Sequence, residues 1–246
     1  KALLDTGLPG ASVQMLYHFD NALGVALAGD ARLGAIGFTG SRAGGLALKA
    51  AADAAGVSMY AELSSVNPVF LLPGALTERA EPLAQEFFAS CTMGSGQFCT
   101  NPGIVVVAQG EAGDTFVAAA TKHFASATPR PLFSRGVRDN LARAVQALVD
   151  AGARVLAGGG KGDGQGYRFE PTLLHVDAAT FLAHRDALQA EAFGPVSLLV
   201  GGADETAMVA IAEAFEGNLT ATLYRAADGS DDTLWQAIAP PLRKRV

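Results

Sequence analysis

The chain has 246 residues, of which half are hydrophobic and 17% are charged, and its net charge is −6. This composition can bury a sizeable core and excludes an intrinsically disordered chain. It also argues against a nucleic-acid binder, because the one basic cluster is residues 243–245, and against a membrane protein, because no apolar run approaches ~20 residues.

Short apolar runs typical of strands alternate with Ala-rich stretches typical of helices. We predict strands at 12–17, 33–38, 57–61, 69–72, 104–107, 154–156, 196–200 and 219–224, with an extended stretch that reaches residue 174. We predict helices at 21–28, 41–55, 77–90, 115–124, 140–151, 206–215 and 233–238. This alternation predicts an α/β fold with a mostly parallel sheet covered by helices.

The chain contains two cysteines, Cys91 and Cys99. If both lie on one helix, the rise between them is roughly 12 Å, which is too long for a disulfide. No signal peptide is visible, so a reducing cytoplasmic compartment is the expected location. The chain opens at Lys1 without an initiator Met, in what resembles the middle of a helix. This opening indicates a fragment or a processed product.

Two glycine-rich segments are candidate phosphate-binding loops. Residues 38–45 join an apolar strand to an Ala-rich helix, where glycines and a helix N-terminus favour a pyrophosphate. The pattern is not G-x-G-x-x-G, and an ordinary tight turn is the alternative. In residues 158–166, Lys161 is followed by Gly162 where a nucleotide-binding loop needs Ser or Thr. We therefore predict an exposed connection with no ligand role.

Cys99 is a candidate nucleophile because it lies between Gly96 and Pro102, where the chain must bend. Such a bend exposes both the thiol and the backbone N–H groups that stabilise an oxyanion. The alternative is a buried, unreactive thiol, which we expect for Cys91.

Glu62 follows an apolar strand, where an α/β sheet presents catalytic groups. A surface carboxylate is the alternative for Glu62, and Glu191 is similarly ambiguous. The histidines lack the spacing of zinc ligands, so we assign no metal site; they are His18, His123, His175 and His184.

Six motifs occur in a familiar order: Phe-Thr-Gly-Ser at 38–41, Glu-Leu-Ser-Ser-Val-Asn-Pro at 62–68, Gly-Gln-Phe-Cys at 96–99, Phe-Glu-Pro-Thr at 169–172, Glu-Ala-Phe-Gly-Pro at 191–195 and Leu-Thr-Ala at 219–221. Together they resemble the aldehyde dehydrogenase family over essentially the whole chain. The resemblance implies a thiohemiacetal and then a thioester on Cys99, with Glu62 activating water for thioester hydrolysis.

The same resemblance implies that the cofactor is NADP or NAD. Glu191 matches the carboxylate that holds the nicotinamide ribose, and Phe193 matches the ring beside it. Gly40, Ser41 and Gly45 match the turn near the pyrophosphate. In the family, a lysine and its neighbours bind the adenosine ribose of the cofactor. These residues have no counterpart in this chain, so the choice between NADP and NAD rests on analogy.

The resemblance also implies two domains. Residues 1–63 match the C-terminal part of the dinucleotide-binding domain, and residues 64–246 match a catalytic domain that lacks its C-terminal end. The full-length protein is expected to be a homo-oligomer that acts on a small-molecule aldehyde. The upstream oxyanion Asn of the family has no counterpart, so we expect the 246 residues alone to show little activity.

The amino-acid sequence of residues 61–73, together with Gln-Phe-Cys-Thr at 97–100, most resembles that of the α-ketoglutaric semialdehyde (2,5-dioxovalerate) dehydrogenases. Long-chain aldehyde dehydrogenases are the nearest alternative. The chain departs from the common family pattern where Ser64-Ser65-Val66 replaces Gly-Gly-Lys and where Ala190 replaces a second Glu. Two other classes stay open: a cysteine acyl-transfer enzyme without nicotinamide, which needs a His near Cys99, and a non-catalytic fragment.

Overall fold

The computed structural model describes residues 5–17 and 19–246, so the opening residues 1–4 and His18 lie outside it. The chain divides into two compact units, residues 1–64 and 65–246. The roles assigned to the two predicted domains stay predictions.

Unit 1 is a βαβ arrangement preceded by a helix. Its elements are α1 (Asn21–Ala28), β1 (Ala35–Thr39), α2 (Arg42–Ala54) and β2 (Ser58–Glu62). The two strands run parallel, with Thr39 opposite Glu62. Gly56 lies in the turn that connects α2 to β2. Its φ is 70°, a value that glycine adopts without a steric penalty. The four predicted elements in this stretch are therefore confirmed, with ends that move by one or two residues.

The strand predicted at 12–17 is wrong. A short 3-10 turn occupies Gly10–Ser12, and the residues that follow form no strand among those described. A strand needs a partner for its backbone hydrogen bonds, and the apolar pattern alone does not provide one. Met15 and Tyr17 in this stretch are 71% and 94% exposed.

Unit 2 is built on a six-stranded sheet. Its strands are β3 (Val69–Leu71), β4 (Ile104–Ala108), β6 (Arg154–Ala157), β8 (Thr172–Asp177), β9 (Val196–Ala203) and β10 (Thr222–Tyr224). Their order in the sheet is β10-β3-β4-β9-β8-β6. Every pair is parallel except β6 with β8. The predicted mostly parallel sheet is thus confirmed, and β4 is buried along its whole length.

A second, antiparallel pair joins β5 (Arg130–Leu132) to β7 (Tyr167–Phe169). The helices of unit 2 are α3 (Pro73–Thr92), α4 (Glu111–Ala125), α5 (Arg135–Asp150), α6 (Ala178–Ala183), α7 (Arg185–Leu188), α8 (Glu205–Ala214) and α9 (Asp232–Arg243). The sequence did not predict α6 and α7, because six and four residues are too few for a helical period to be recognised.

Two aromatic clusters lie in the core of unit 2. Phe70 of β3 contacts Phe215 just after α8, with ring centroids 6.1 Å apart. Phe87 of α3 contacts Phe116 and Phe124 of α4, at 5.9 and 5.6 Å. Buried aromatic rings of this size supply much of the hydrophobic stabilisation of a domain. They hold the sheet and α3 in place, and the segment that follows α3 carries Cys99.

Candidate active site

The Cys99 loop, residues 93–101, begins where α3 ends at Thr92. Gly94, Ser95 and Gly96 follow one another in the left-handed region, with φ values of 56°, 60° and 66°. This conformation is costly for a residue with a Cβ, and Ser95 is held in it by a hydrogen bond of 3.2 Å from its hydroxyl to the Pro131 carbonyl. The bend predicted before Cys99 is confirmed.

The two cysteines lie in different environments. Cys91 is fully buried within α3, whereas Cys99 lies beyond the helix and is exposed. The two cysteines therefore do not share one helix, and both thiols are free as expected. Burial raises the pKa of Cys91 to about 12, a shift that the Asn101 side chain partly opposes. Of the two cysteines, only Cys99 is open to a reaction partner.

Asn67 connects the Cys99 loop to the sheet. Its side chain is buried, and its amide nitrogen donates hydrogen bonds of 2.9 Å to the carbonyl oxygens of both Cys99 and Asn101. Its amide oxygen accepts hydrogen bonds from the hydroxyls of Ser65, at 2.8 Å, and Thr220, at 3.1 Å. The hydrogen-bonding capacity of this buried amide is thus fully used.

Asn218 holds the segment that carries Asn67. Its side-chain oxygen accepts hydrogen bonds from the backbone N–H groups of Val66, at 2.9 Å, and Asn67, at 3.1 Å. Its amide nitrogen donates to the Glu216 carbonyl at 2.9 Å. Sequence reasoning missed both asparagines as site residues, since their partners are far apart in the chain. The one local signal is the residue type at position 67. In the structure Asn67 adopts a φ of 45°, a region that Asn tolerates better than most residues.

Residues 190–193 lie beside the Cys99 loop. Glu191 and Phe193 line a narrow cleft together with Phe98 and Asn101. The Asn101 side chain donates a hydrogen bond of 3.2 Å to the Gly194 carbonyl, which ties the two walls together. Glu191 is half-buried, while the rings of Phe98 and Phe193 are 50% and 39% exposed. Two residues matched to the cofactor site by resemblance therefore share a cleft with the neighbours of Cys99.

The other candidate residues lie in unit 1. The Gly40 N–H donates to the Glu62 carbonyl at 3.1 Å, so the turn after β1 lies beside the end of β2. The Ser41 hydroxyl accepts the Gly44 N–H at 3.3 Å and caps α2. Glu62 itself is half-buried.

Gly45 has a packing role in unit 1. A Cβ at this position would overlap the end of the Leu63 side chain, so glycine lets α2 approach the residue after β2. The match of Gly45 to a pyrophosphate-binding turn stays a prediction.

The glycine-rich loop between β6 and β7 uses its own donors. The N–H groups of Gly159 and Gly160 donate to the Thr172 hydroxyl and to the Glu170 carboxylate, each at 2.9 Å. A phosphate cradle needs such groups free. This geometry supports the prediction of a connecting loop, and most of the loop is exposed.

No group of three His, Cys, Asp or Glu side chains among residues 5–17 and 19–246 is arranged to hold a metal ion. In the same part of the chain, no helix is both long and apolar enough to cross a membrane.

Comparison with known proteins identifies the relatives of this chain. The model of the aldehyde dehydrogenase family matches residues 1–231. α-Ketoglutaric semialdehyde dehydrogenase 2 of Azospirillum brasilense is 36% identical over 247 residues, which cover 100% of this chain and 46% of that protein. α-Ketoglutaric semialdehyde dehydrogenase of Acinetobacter baylyi (strain ATCC 33305 / BD413 / ADP1) is 34% identical, over 94% of this chain and 44% of that protein. The chain thus spans less than half the length of these two relatives.

A solved structure has the same fold. Succinic semialdehyde dehydrogenase from Streptococcus pyogenes, solved in complex with NADP+, superposes with a TM-score of 0.76 at 21% identity. The match covers 96% of this chain and 52% of that one.

Proposed function

The chain belongs to the aldehyde dehydrogenase family, and on that premise we propose that the protein oxidises an aldehyde to a carboxylate with NAD or NADP. Cys99 is the nucleophile and Glu62 is the base that activates water. The observation that carries the proposal is the shared cleft. Phe98 and Asn101, on either side of Cys99, line it together with Glu191 and Phe193.

The residues around this cleft fit a nicotinamide riboside. A carboxylate such as Glu191 accepts hydrogen bonds from ribose hydroxyls, and Phe193 offers a partly exposed aromatic ring beside it. When bound, the cofactor accepts a hydride. Gly40, Ser41 and Gly45 are proposed to hold the pyrophosphate. The matched structure from S. pyogenes was solved with NADP+, which supports this cofactor class.

The chemistry of Cys99 follows from its position. Cys99 is exposed. After the thiol has lost its proton to solvent, the sulfur attacks the aldehyde carbon and the C=O π electrons move to oxygen, which forms a C–S bond and an alkoxide. In the described residues 5–17 and 19–246, the Cys99 N–H has no acceptor, so it is available to hydrogen-bond this oxyanion. Loss of hydride leaves a thioester. Water gives one proton to Glu62 as it attacks the thioester, and the C–S bond breaks to release the Cys99 thiolate. The carboxylic acid then loses its proton to solvent and leaves as the carboxylate.

We propose α-ketoglutaric semialdehyde as the substrate. Two relatives at 36% and 34% identity carry that name, which supports this choice over a long-chain aldehyde.

The homo-oligomer expected from the resemblance also stays a prediction, and a sedimentation measurement would test it.

The test uses the protein expressed with its natural flanking sequence, because the chain spans less than half of its relatives. NAD and NADP reduction are followed with α-ketoglutaric semialdehyde, succinic semialdehyde and a long-chain aldehyde. We expect Cys99→Ser to abolish turnover. Cys91→Ala is the matched control and should retain it, because Cys91 is a buried thiol away from the surface.

Glu62→Gln is expected to give a burst of reduced cofactor followed by a slow phase, since it impairs thioester hydrolysis. Loss of the burst itself would instead assign Glu62 a role before hydride transfer. Full turnover in Cys99→Ser would overturn the proposed function.

A further inference from the structure

We propose that Asn67 is a positioning residue for Cys99, which fixes the direction of the Cys99 backbone N–H. This proposal rests on the assignment of Cys99 as the nucleophile. The carbonyls of Cys99 and Asn101 both point at the buried Asn67 amide, 2.9 Å away. Two donors from one rigid side chain therefore determine two peptide orientations in the Cys99 loop.

A turn inside the loop completes the arrangement. The Asn101 N–H donates to the Phe98 carbonyl at 3.1 Å. The peptide between Phe98 and Cys99 is trans, so its N–H points opposite to that carbonyl. The Cys99 N–H is thus directed away from Asn101. If Asn101 turns, Phe98 loses its donor and the oxyanion donor turns with it.

Asn67 is itself held in place from three sides. The hydroxyls of Ser65 and Thr220 occupy its side-chain oxygen, at 2.8 and 3.1 Å. Asn218 accepts its backbone N–H at 3.1 Å. These contacts fix which end of the amide faces the Cys99 loop, because an oxygen that accepts two hydroxyls leaves the nitrogen to face the carbonyls.

The two asparagines act in opposite chemical senses, which provides a matched pair of variants. Asn67 serves the Cys99 loop as a donor, so Asn67→Asp removes both donors and sets a carboxylate against two carbonyl oxygens. Asn218 serves the 65–67 segment as an acceptor, so Asn218→Asp keeps the contacts to Val66 and Asn67 and sets a carboxylate oxygen against only one carbonyl, that of Glu216. The same change is therefore more harmful at position 67 than at position 218.

The readout is the burst rate of cofactor reduction in the protein with its natural flanking sequence, together with the Kd of NADP. We expect Asn67→Asp to slow the burst by about 10- to 100-fold, the range that a misplaced reacting group costs. The Kd should change by less than about threefold. Asn218→Asp, which keeps its acceptor contacts to the 65–67 segment, should slow the burst less than Asn67→Asp does. Asn67→Gly keeps the left-handed backbone while removing the donors, and it should also slow the burst.

The outcomes separate the two proposals. If Cys99→Ser keeps its burst, the proposed function fails. If Cys99→Ser loses the burst but Asn67→Asp and Asn67→Gly react at the original rate, the positioning proposal alone is overturned. It is also overturned if both variants lack a folded fraction by circular dichroism, or if Asn218→Asp slows the burst equally, because Asn67 would then serve stability rather than the orientation of Cys99.

Discussion

Gly96 packs directly against the backbone of Gly194. A Cβ built on Gly96 would overlap the carbonyl carbon and oxygen of Gly194 and the nitrogen of Pro195. Gly96 belongs to the left-handed turn that precedes Cys99, and Gly194 follows the segment that carries Glu191 and Phe193. The closeness of the two cleft walls therefore depends on the absence of a side chain at position 96.

Gly96→Ala is expected to destabilise unit 2 for two reasons. Its φ of 66° is unfavourable for alanine by roughly 1–2 kcal/mol, and its Cβ would push against backbone, which typically adds about 1–3 kcal/mol. Gly202→Ala is the matched control, because its φ is 68° and nothing lies within 4 Å of its Cβ. Urea unfolding of both variants measures the difference.

The larger loss should appear in Gly96→Ala, together with a slower burst of cofactor reduction. Equal losses in the two variants would mean that the loop containing Gly194 moves aside easily. The contact between the two walls would then not determine the cleft.

The regular elements were largely predictable because local pattern and tertiary structure agree. The helix predicted at 41–55 appears as α2, with Ser41 at its N-cap, and the strand predicted at 104–107 is β4. The prediction at 12–17 failed because apolar alternation describes a strand only where a partner strand is available. The prediction also missed the pairing of β5 with β7, whose three-residue strands carry too little pattern.

The candidate site was predictable only in part. The bend before Cys99 follows from its glycines, and the exposure of Cys99 follows from the bend. Asn67 was not predictable as a partner of Cys99, because their contact spans 32 positions and that of Asn67 with Thr220 spans 153. Such contacts depend on how the strands are ordered in the sheet, and no local sequence signal encodes that order.

Removal of each of two buried hydroxyls in the sheet should affect the free energy of unfolding differently. The Ser197 hydroxyl is buried and has no hydrogen-bond partner among the described residues. The Thr172 hydroxyl is also buried, but it donates to the Glu170 carbonyl at 2.8 Å and accepts the Gly159 N–H at 2.9 Å. We expect Ser197→Ala to be neutral or stabilising, and Thr172→Val to cost about 1–3 kcal/mol. Thermal unfolding compares them, and a loss of stability in Ser197→Ala would reveal an unrecognised partner.

Asp231 caps α3 from a distant part of the chain. Its buried carboxylate accepts the N–H groups of Gly74, Ala75 and Ala226, at 2.8, 3.0 and 2.7 Å. Asp231→Ala leaves three donors without an acceptor, so its cost should exceed the roughly 1 kcal/mol of an ordinary cap. Asp204→Ala is the control, since Asp204 caps α8 through one exposed bond to Ala207. Equal costs in urea unfolding would contradict the importance of the buried cap.

His175 should make unit 2 sensitive to mild acid. His175 lies half-buried on β8, and desolvation lowers its pKa from the usual 6.5. The positive charge of Arg154 lowers this pKa further, whereas the negative charge of Asp177 partly opposes the shift. Because the folded pKa is the lower one, the unfolded chain binds a proton first as the pH falls below about 6.5. The stabilisation is therefore complete above that pH and is lost as the pH falls towards the folded pKa.

Urea unfolding between pH 7.5 and pH 5 tests this dependence. The free energy of unfolding should decline below about pH 6.5 with a slope of at most about 1.4 kcal/mol per pH unit, the limit for one proton. His175→Gln should flatten the slope, because glutamine does not titrate. Arg154→Gln should reduce it, because one of the two causes of the lowered pKa is removed while desolvation remains. The pKa of Asp177 is itself lowered by hydrogen bonds from Thr180, so its titration lies below this range. An unchanged slope in His175→Gln would assign the acid sensitivity to other groups.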